Sequence, residues 1–200
     1  MEPWHASIQD AYELLQGKKF EMQNYPMWEK ESLKDEQHPL AAYHVTEPFL
    51  LHTNKKEGES FKIEGRLLGG CLDCLSHLRG TKFDKVKEFN QKYEDDGILW
   101  FLESCDLNVF EMRRTLWSLK QAGWFDTCRG FLIGRPGVQG QIIAGLDQYE
   151  AVLSILSEFD VPIFMDLDIG HVAPMMPLIC GSYGKVTVVG NDCCIAMSLQ

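Results

Sequence analysis

The sequence is poor in positive charge. Nineteen lysines and arginines face 29 aspartates and glutamates, for a net charge of −10. Basic runs such as Lys18-Lys19 are too short to track a phosphate backbone, so nucleic acid is excluded as a partner. Missing too is any apolar run near the roughly 20 residues of a bilayer crossing, which removes a membrane from the expected partners. The opening stretch MEPWHASIQD has neither the basic nor the apolar region of a secretory leader. Cysteine is present but lacks the pattern of a disulfide framework. Cys71, Cys74, Cys105, Cys128, Cys180, Cys193 and Cys194 make an odd count, and several sit in apolar segments where a free thiol behaves as a small hydrophobe. These absences together set the expectation of a cytoplasmic protein. No repeat or low-complexity tract is visible.

What is there is an ordinary globular composition, 45% hydrophobic and 24% charged over 200 residues, enough for one domain or one domain and part of another. Ser7-Ile-Gln-Asp10 opens a helical pattern with Ser7 as N-cap, continued by Ile8, Ala11, Tyr12 and Leu15 and ended by Gly17. Residues 18–60 are polar and irregular, with Pro26, Pro39 and Pro48, and predict a connector with at most short strands, outside the core of the domain. From Phe61 onward strand and helix alternate. Phe61, Ile63 and Leu67 fit a half-buried strand, Gly69-Gly70 turns the chain into the helix CLDCLSHL, and Gly80 stops it. Ile98–Leu102, Gly130–Gly134 and Val161–Met165 are short apolar runs that predict buried strands. Val109, Met112, Leu116 and Leu119 share one helical stripe; Tyr149, Val152, Leu153 and Leu156 share another. Lys185–Val189 and Cys194–Ser198 predict a terminal hairpin around Gly190-Asn-Asp192. The class is α/β.

Open α/β folds gather their chemistry where buried strands release the chain into loops. Two strands here end in capable residues: Ile98–Leu102 runs into Glu103, and Val161–Leu167 runs into Asp168-Ile-Gly-His171. A carboxylate at a buried strand mouth is costly without a partner. Beside an imidazole it would fix the tautomer, orient the ring and stabilise the imidazolium formed on proton abstraction. Gly170 lets the backbone come close, and Pro174 and Pro177 stiffen the chain behind it. Plainer alternatives stand beside this pairing, since each residue could be solvated or structural on its own. Asp166, Asp168 and His171 form D-x-D-x-x-H, a metal reading with no second histidine nearby. Cys71-Leu-Asp-Cys74 matches C-x-x-C, set against buried helix cysteines with no redox or metal role. Gly69-Gly70 offers N–H groups to a substrate carboxylate, or forms only a tight turn. Trp100 and Trp117 fall in core patterns, whereas Trp28, in the polar connector, is the candidate for stacking on a substrate ring.

Several stretches occur in a fixed order: Glu64-Gly-Arg-Leu-Leu-Gly-Gly-Cys71, Leu78-Arg-Gly-Thr81, Gly97-Ile-Leu-Trp-Phe-Leu-Glu103, Arg113 with Leu119, Ala122 and Gly123, Gly130-Phe-Leu-Ile-Gly-Arg135 and Asp168-Ile-Gly-His171. Over about residues 60–190 the chain resembles the C-terminal domain of the LD-carboxypeptidase family of serine peptidases, and within it the microcin C immunity-type branch. The resemblance implies a compact, β-rich, barrel-like α/β domain with flanking helices over residues 61–200. It places residues 18–60 as the irregular connector and 1–17 as the last helix of a missing N-terminal domain. It also implies a Ser-His-Glu triad, with Glu103 and His171 supplied here and the serine upstream. The implied reaction is hydrolysis of an amide bond in a murein tetrapeptide or a peptidyl or aminoacyl adenylate, by a homodimer needing neither metal nor cofactor. The departure is the nucleophile. No serine in the chain has the G-x-S-x-G context of a nucleophile elbow; Gly181-Ser182-Tyr-Gly184 comes nearest. The opposing expectation is a free-standing, non-catalytic binding or dimerisation domain.

Overall fold

The computed structural model describes residues 5–56 and 59–199; the first four residues of the helical segment expected over 1–17 lie outside the described residues. Its helices are α1 (Ala6–Leu15), α2 (Leu72–Leu78), α3 (Val86–Lys92), α4 (Val109–Gln121) and α5 (Gln148–Leu156). The strands are β1 (Glu21–Gln23), β2 (Met27–Trp28), β3 (Glu47–Pro48), β4 (His52–Thr53), β5 (Ser60–Cys71), β6 (Ile98–Glu103), β7 (Cys128–Gly134), β8 (Ile163–Leu167), β9 (Tyr183–Val189) and β10 (Asp192–Ser198). Eight of them form one mixed sheet in the order β1-β10-β9-β5-β6-β7-β8-β4, and β2 and β3 pair separately. The ladders from β5 to β8 are parallel, and the rest are antiparallel. The expected β-rich α/β class with flanking helices is what forms. Its sheet is open, with β1 and β4 as its edges.

The parallel strands read as unbroken apolar runs because both of their faces are covered. Along β6, Ile98, Trp100 and Leu102 join one core with the buried stripes of α4 and α5. Leu99, between them, joins a second core with Val186, Val188 and Ile195 of the β9–β10 hairpin. In β8 the alternation breaks: Met165 and Leu167, two residues apart, belong to opposite cores. The cause is Asp166, whose φ of 63° reverses one step of the strand and shifts the β7–β8 register.

Several local expectations are corrected. Helix α1 begins at Ala6 with His5 as its cap, the His5 ring accepting from the Ser7 N–H. Ser7 is buried, and Asp10 accepts from Tyr25 Oη at 2.8 Å instead of completing a capping box. The segment expected to lie outside the core reaches into it. Met22, Tyr25 and Phe49 are buried, and β1 and β4 extend the large sheet. Gly69 and Gly70 are ladder residues of β5, which runs on to Cys71, and form no turn. Cys71 ends that strand and Cys74 is exposed, so neither is a buried helix cysteine. Helix α3 carries only Val86 and Phe89 against the core, with Tyr93 just past its end, too thin a stripe to stand out from its charged neighbours. Trp100 is buried as expected, but Trp117 is 53% exposed, on the outer side of the α4 stripe.

The α4 stripe supplies a stability test. Leu116 is fully buried, so Leu116→Ala is expected to destabilise by about 2–5 kcal/mol through lost burial and the cavity left behind. Trp117→Ala should stay within about 0.5 kcal/mol of the parent. Urea unfolding midpoints of the two variants check the difference.

Candidate active site

The parallel register sets Cys71 of β5 directly beside Glu103 of β6, both at the last position of their strands. The loop leaving β8 brings His171 to the same mouth. His171 Nδ1 lies 3.0 Å from Glu103 Oε2. The carboxylate is 5% exposed and the imidazole 58%, so a buried anion holds a ring that solvent or substrate can reach. Gly170 is required for this approach. A Cβ there would fall 2.6 Å from Glu103 Cγ and Oε2, and its φ of 111° disfavours any other residue.

The loop that carries His171 is held from beneath. Arg135, at the exit of β7, donates to the backbone carbonyl of Asp166 and to the Asp168 carboxylate, and its own N–H donates to the Leu167 carbonyl. The second Asp168 oxygen accepts from the Tyr25 N–H at 2.7 Å. Beyond His171, Met176 N–H donates to the Asp168 carbonyl and the Ala173 carbonyl accepts from Glu29 N–H. Asp166 faces a different group: its carboxylate accepts from Tyr149 Oη at 2.7 Å and Gln148 Nε2 at 3.2 Å, and lies 2.7 Å from His52 Nδ1. The D-x-D-x-x-H residues are therefore dispersed among separate partners and form no common ligand set.

The Glu103 hydrogen bond, and then its charge, raise the His171 imidazole above its ordinary value, with smaller contributions from Asp73 and Asp106. Burial, and then a hydrogen bond to Glu103, push the Cys71 thiol up to about 12. Burial alone would raise the Asp73 carboxyl, but the N–H groups of Asp106 and Cys105 donate to it at 2.9 and 3.1 Å and hold it below its ordinary range. Asp73 thereby anchors the loop that follows Glu103. In the tautomer whose Nδ1–H donates to Glu103, Nε2 is left as a free base, an arrangement able to take a proton from a nucleophile and return it to a leaving group.

The remaining expected residues lie apart from this pair or serve the backbone. Gly69 pairs with Phe101, and a Cβ on it would sit 1.7 Å from the Phe101 carbonyl oxygen, so close strand approach accounts for the glycine. Gly70 pairs with Leu102 and has a φ of 143°. Trp28 belongs to another cavity, of about 200 Å³, with His52, Arg135, Tyr149 and Asp166 among its walls. Its ring packs over the Arg135 guanidinium at 5.2 Å, and its indole N–H donates to the Pro48 carbonyl. Sequence reasoning missed Cys71 as the third group at the mouth and Arg135 as the brace. The Glu64–Cys71 and Gly130–Arg135 stretches ending on these two residues were the available signals.

Residues 64–186 match the profile of the LD-carboxypeptidase C-terminal domain. A Treponema pallidum protein assigned provisionally as a carboxypeptidase is 27% identical over 137 residues, covering 68% of this chain and 37% of that protein. The microcin C7 self-immunity protein MccF of Escherichia coli is 25% identical over 122 residues, covering 61% of this chain and 33% of that protein. The chain thus spans about a third of the length of these curated relatives. Among solved structures, an MccF-like protein from Streptococcus pneumoniae in complex with AMP superposes with a TM-score of 0.70 at 22% identity, over 98% of this chain and 58% of that one. A muramoyltetrapeptide carboxypeptidase from Oxalobacter formigenes gives 0.58 at 16% identity, over 96% and 54%. At these identities the structural likeness establishes the fold.

Two outcomes are expected of the site. Because the folded imidazole titrates above its ordinary 6.5, His171 contributes stability that is complete below that pH and is lost as pH rises through the higher folded value. Glu103→Gln removes the charge and leaves a neutral amide with one acceptor oxygen, and should move the His171 titration midpoint downward in NMR spectra of the ring protons. Gly69→Ala should destabilise by about 3 kcal/mol or prevent folding, because the β5–β6 ladder must open to admit the methyl group. Thermal unfolding of the variant checks this.

Proposed function

The chain belongs to the LD-carboxypeptidase C-terminal domain family, and from that premise we propose that it supplies the base and its orienting carboxylate to a serine hydrolase. The observation that carries the proposal is the 3.0 Å contact between the exposed His171 ring and the buried Glu103 carboxylate. In the proposed reaction, His171 Nε2 accepts the proton of a serine hydroxyl as its oxygen attacks the substrate carbonyl. The same imidazolium then protonates the departing amine, and water attacks the acyl-enzyme with His171 again as base. Glu103 orients the ring and stabilises the imidazolium.

The nucleophile is proposed to come from protein outside these 200 residues. Ser104, next to Glu103, is buried with its hydroxyl toward the Leu107 carbonyl. Ser182, nearest to an elbow motif, is buried and donates to the Ile179 carbonyl at 2.7 Å. Helix α1 supports a partner domain, since Ile8, Tyr12 and Leu15 on its apolar stripe are 38%, 54% and 87% exposed. The division into residues 1–17, 18–60 and 61–200 belongs to this proposal, as does a homodimeric whole protein in the cytoplasm. The substrate class is an amide beside a free carboxylate, in a muropeptide or in a peptidyl or aminoacyl nucleotide. It is suggested by the AMP bound to the pneumococcal protein, by the aspartyl sulfamoyl adenosine in an MccF structure and by the name of the Oxalobacter carboxypeptidase. Trp28 remains the aromatic surface proposed to stack on a substrate ring.

The test assays the 200-residue chain, and a longer protein that carries it, against an LD-tetrapeptide and an aminoacyl sulfamoyl adenosine. The chain alone should hydrolyse neither. The longer protein should hydrolyse one of them, and His171→Ala should lower its kcat by about a thousandfold or more. Hydrolysis by the chain alone that His171→Ala abolishes would place the nucleophile within these residues. Full activity of the longer His171→Ala protein would overturn the assignment of His171.

A further inference from the structure

Cys71 stands where neither the proposed hydrolysis nor the fold has use for a thiol. Its sulfur, a carboxylate oxygen of Glu103 and a ring nitrogen of His171 lie within 4.8 Å of one another, the only such group of three among the described residues. Three separate segments deliver these atoms: the ends of the paired strands β5 and β6, and the loop after β8. Their surroundings are acidic. An Asp73 oxygen lies 3.3 Å from the Cys71 sulfur, and no lysine or arginine side chain is hydrogen-bonded to any of the three among the described residues.

We propose that Cys71, Glu103 and His171 form a binding site for a thiophilic divalent cation of the zinc class, with a fourth coordination position open to solvent. The donor set decides the class of ion. Sulfur, imidazole nitrogen and a single carboxylate suit zinc and its neighbours, whereas magnesium and calcium call for oxygen ligands throughout. The geometry is near what coordination needs. Two ligand atoms bound to one tetrahedral zinc at about 2.0–2.2 Å stand roughly 3.3–3.6 Å apart, a few tenths of an ångström beyond the 3.0 Å between His171 Nδ1 and Glu103 Oε2. Closing the sulfur onto the same ion takes at most about 1.3 Å of adjustment, since the three ligand atoms already lie within 4.8 Å of one another and a Zn–S bond is about 2.3 Å. On binding, the Cys71 S–H bond breaks as the metal–sulfur bond forms, and the proton leaves to solvent. When Nδ1 is the ligand atom, its hydrogen is released and Nε2 takes one up, so the ring stays neutral. No electron is transferred.

A bound ion would occupy both the proposed base and its carboxylate. Zinc would then act as an inhibitor of the hydrolase, a consequence that rests on the proposed function, while binding itself does not.

The test titrates the reduced 200-residue chain with Co²⁺ as a spectroscopic stand-in and follows the sulfur-to-cobalt charge-transfer absorption and the visible bands of a four-coordinate ion. One equivalent should produce both, and Zn²⁺ should bleach them. Cys71→Ser should abolish the charge-transfer absorption, and His171→Ala should weaken Co²⁺ binding by about tenfold or more. Cys74→Ser, an exposed control, should change neither. If Cys71→Ser fails to fold by circular dichroism, His171→Ala decides, because that ring is largely exposed. Absence of the absorption at stoichiometric Co²⁺, its persistence in folded Cys71→Ser, or unchanged affinity in His171→Ala would overturn the site. The readout needs no turnover, so its failure would leave the hydrolytic reading standing, and a failure of hydrolysis would leave the binding result standing.

Discussion

The guanidinium of Arg135 and the carboxylate of Asp168 are 2% and 0% exposed and in direct contact, at the point where β7 and β8 release the chain. Neither charge has access to water, and each is satisfied mainly through the other and through backbone groups. Pairs of this kind contribute little net stability over a hydrophobic replacement, yet losing one partner costs about 3–5 kcal/mol because the other is left buried and alone. Here the pair has a positional consequence. Asp168 also accepts from the Tyr25 N–H, and its carbonyl accepts from Met176 N–H, so the ion pair ties the loop on both sides of His171 to the sheet and to the N-terminal segment. The imidazole inherits its place from this brace and its orientation from Glu103.

Glu103 is the shared element of the mouth. It bonds to the His171 ring, perturbs the Cys71 thiol beside it in the ladder, and packs against the space above Gly170. A different cation stands against this buried carboxylate in each of the two proposals. One is the imidazolium, formed transiently when His171 accepts a proton. The other is a metal ion, which would hold the same atoms permanently. The site is poised between the two by one residue, the thiol at position 71.

The strand mouths that carry Glu103 and Asp168–His171 were legible in the sequence because composition marks where buried apolar runs stop. The pairing of Glu103 with His171 had plainer alternatives and rested chiefly on the family resemblance. Cys71 was not legible as their neighbour, since that depends on which strand lies beside which, and strand order leaves no local trace. The same limit explains Met22, Tyr25 and Phe49. Each is an isolated apolar residue in a polar segment, and only the completed sheet shows that each caps a core. His5 replaced Ser7 as the cap of α1 because a ring nitrogen satisfied the same N–H, a substitution that preference rules do not anticipate. Trp117 was misplaced because a stripe on a helix is bounded by angle and not by residue type. The overall α/β class, by contrast, rested on short apolar runs alternating with helical stripes, and that alternation is what the fold shows.

The reversed step at Asp166 bears on how the motif could be moved between proteins. Its backbone sits in the left-handed region, tolerated by aspartate, and its carboxylate is gripped by Tyr149, Gln148 and His52, residues of α5 and the edge strand β4. That one residue exchanges the two faces of the sheet for everything that follows it in β8. A graft of the Asp168–His171 loop onto an ordinary parallel strand would therefore present histidine to the wrong side. The transferable unit is larger than the signature: it includes the out-of-phase aspartate and the three side chains that keep it there.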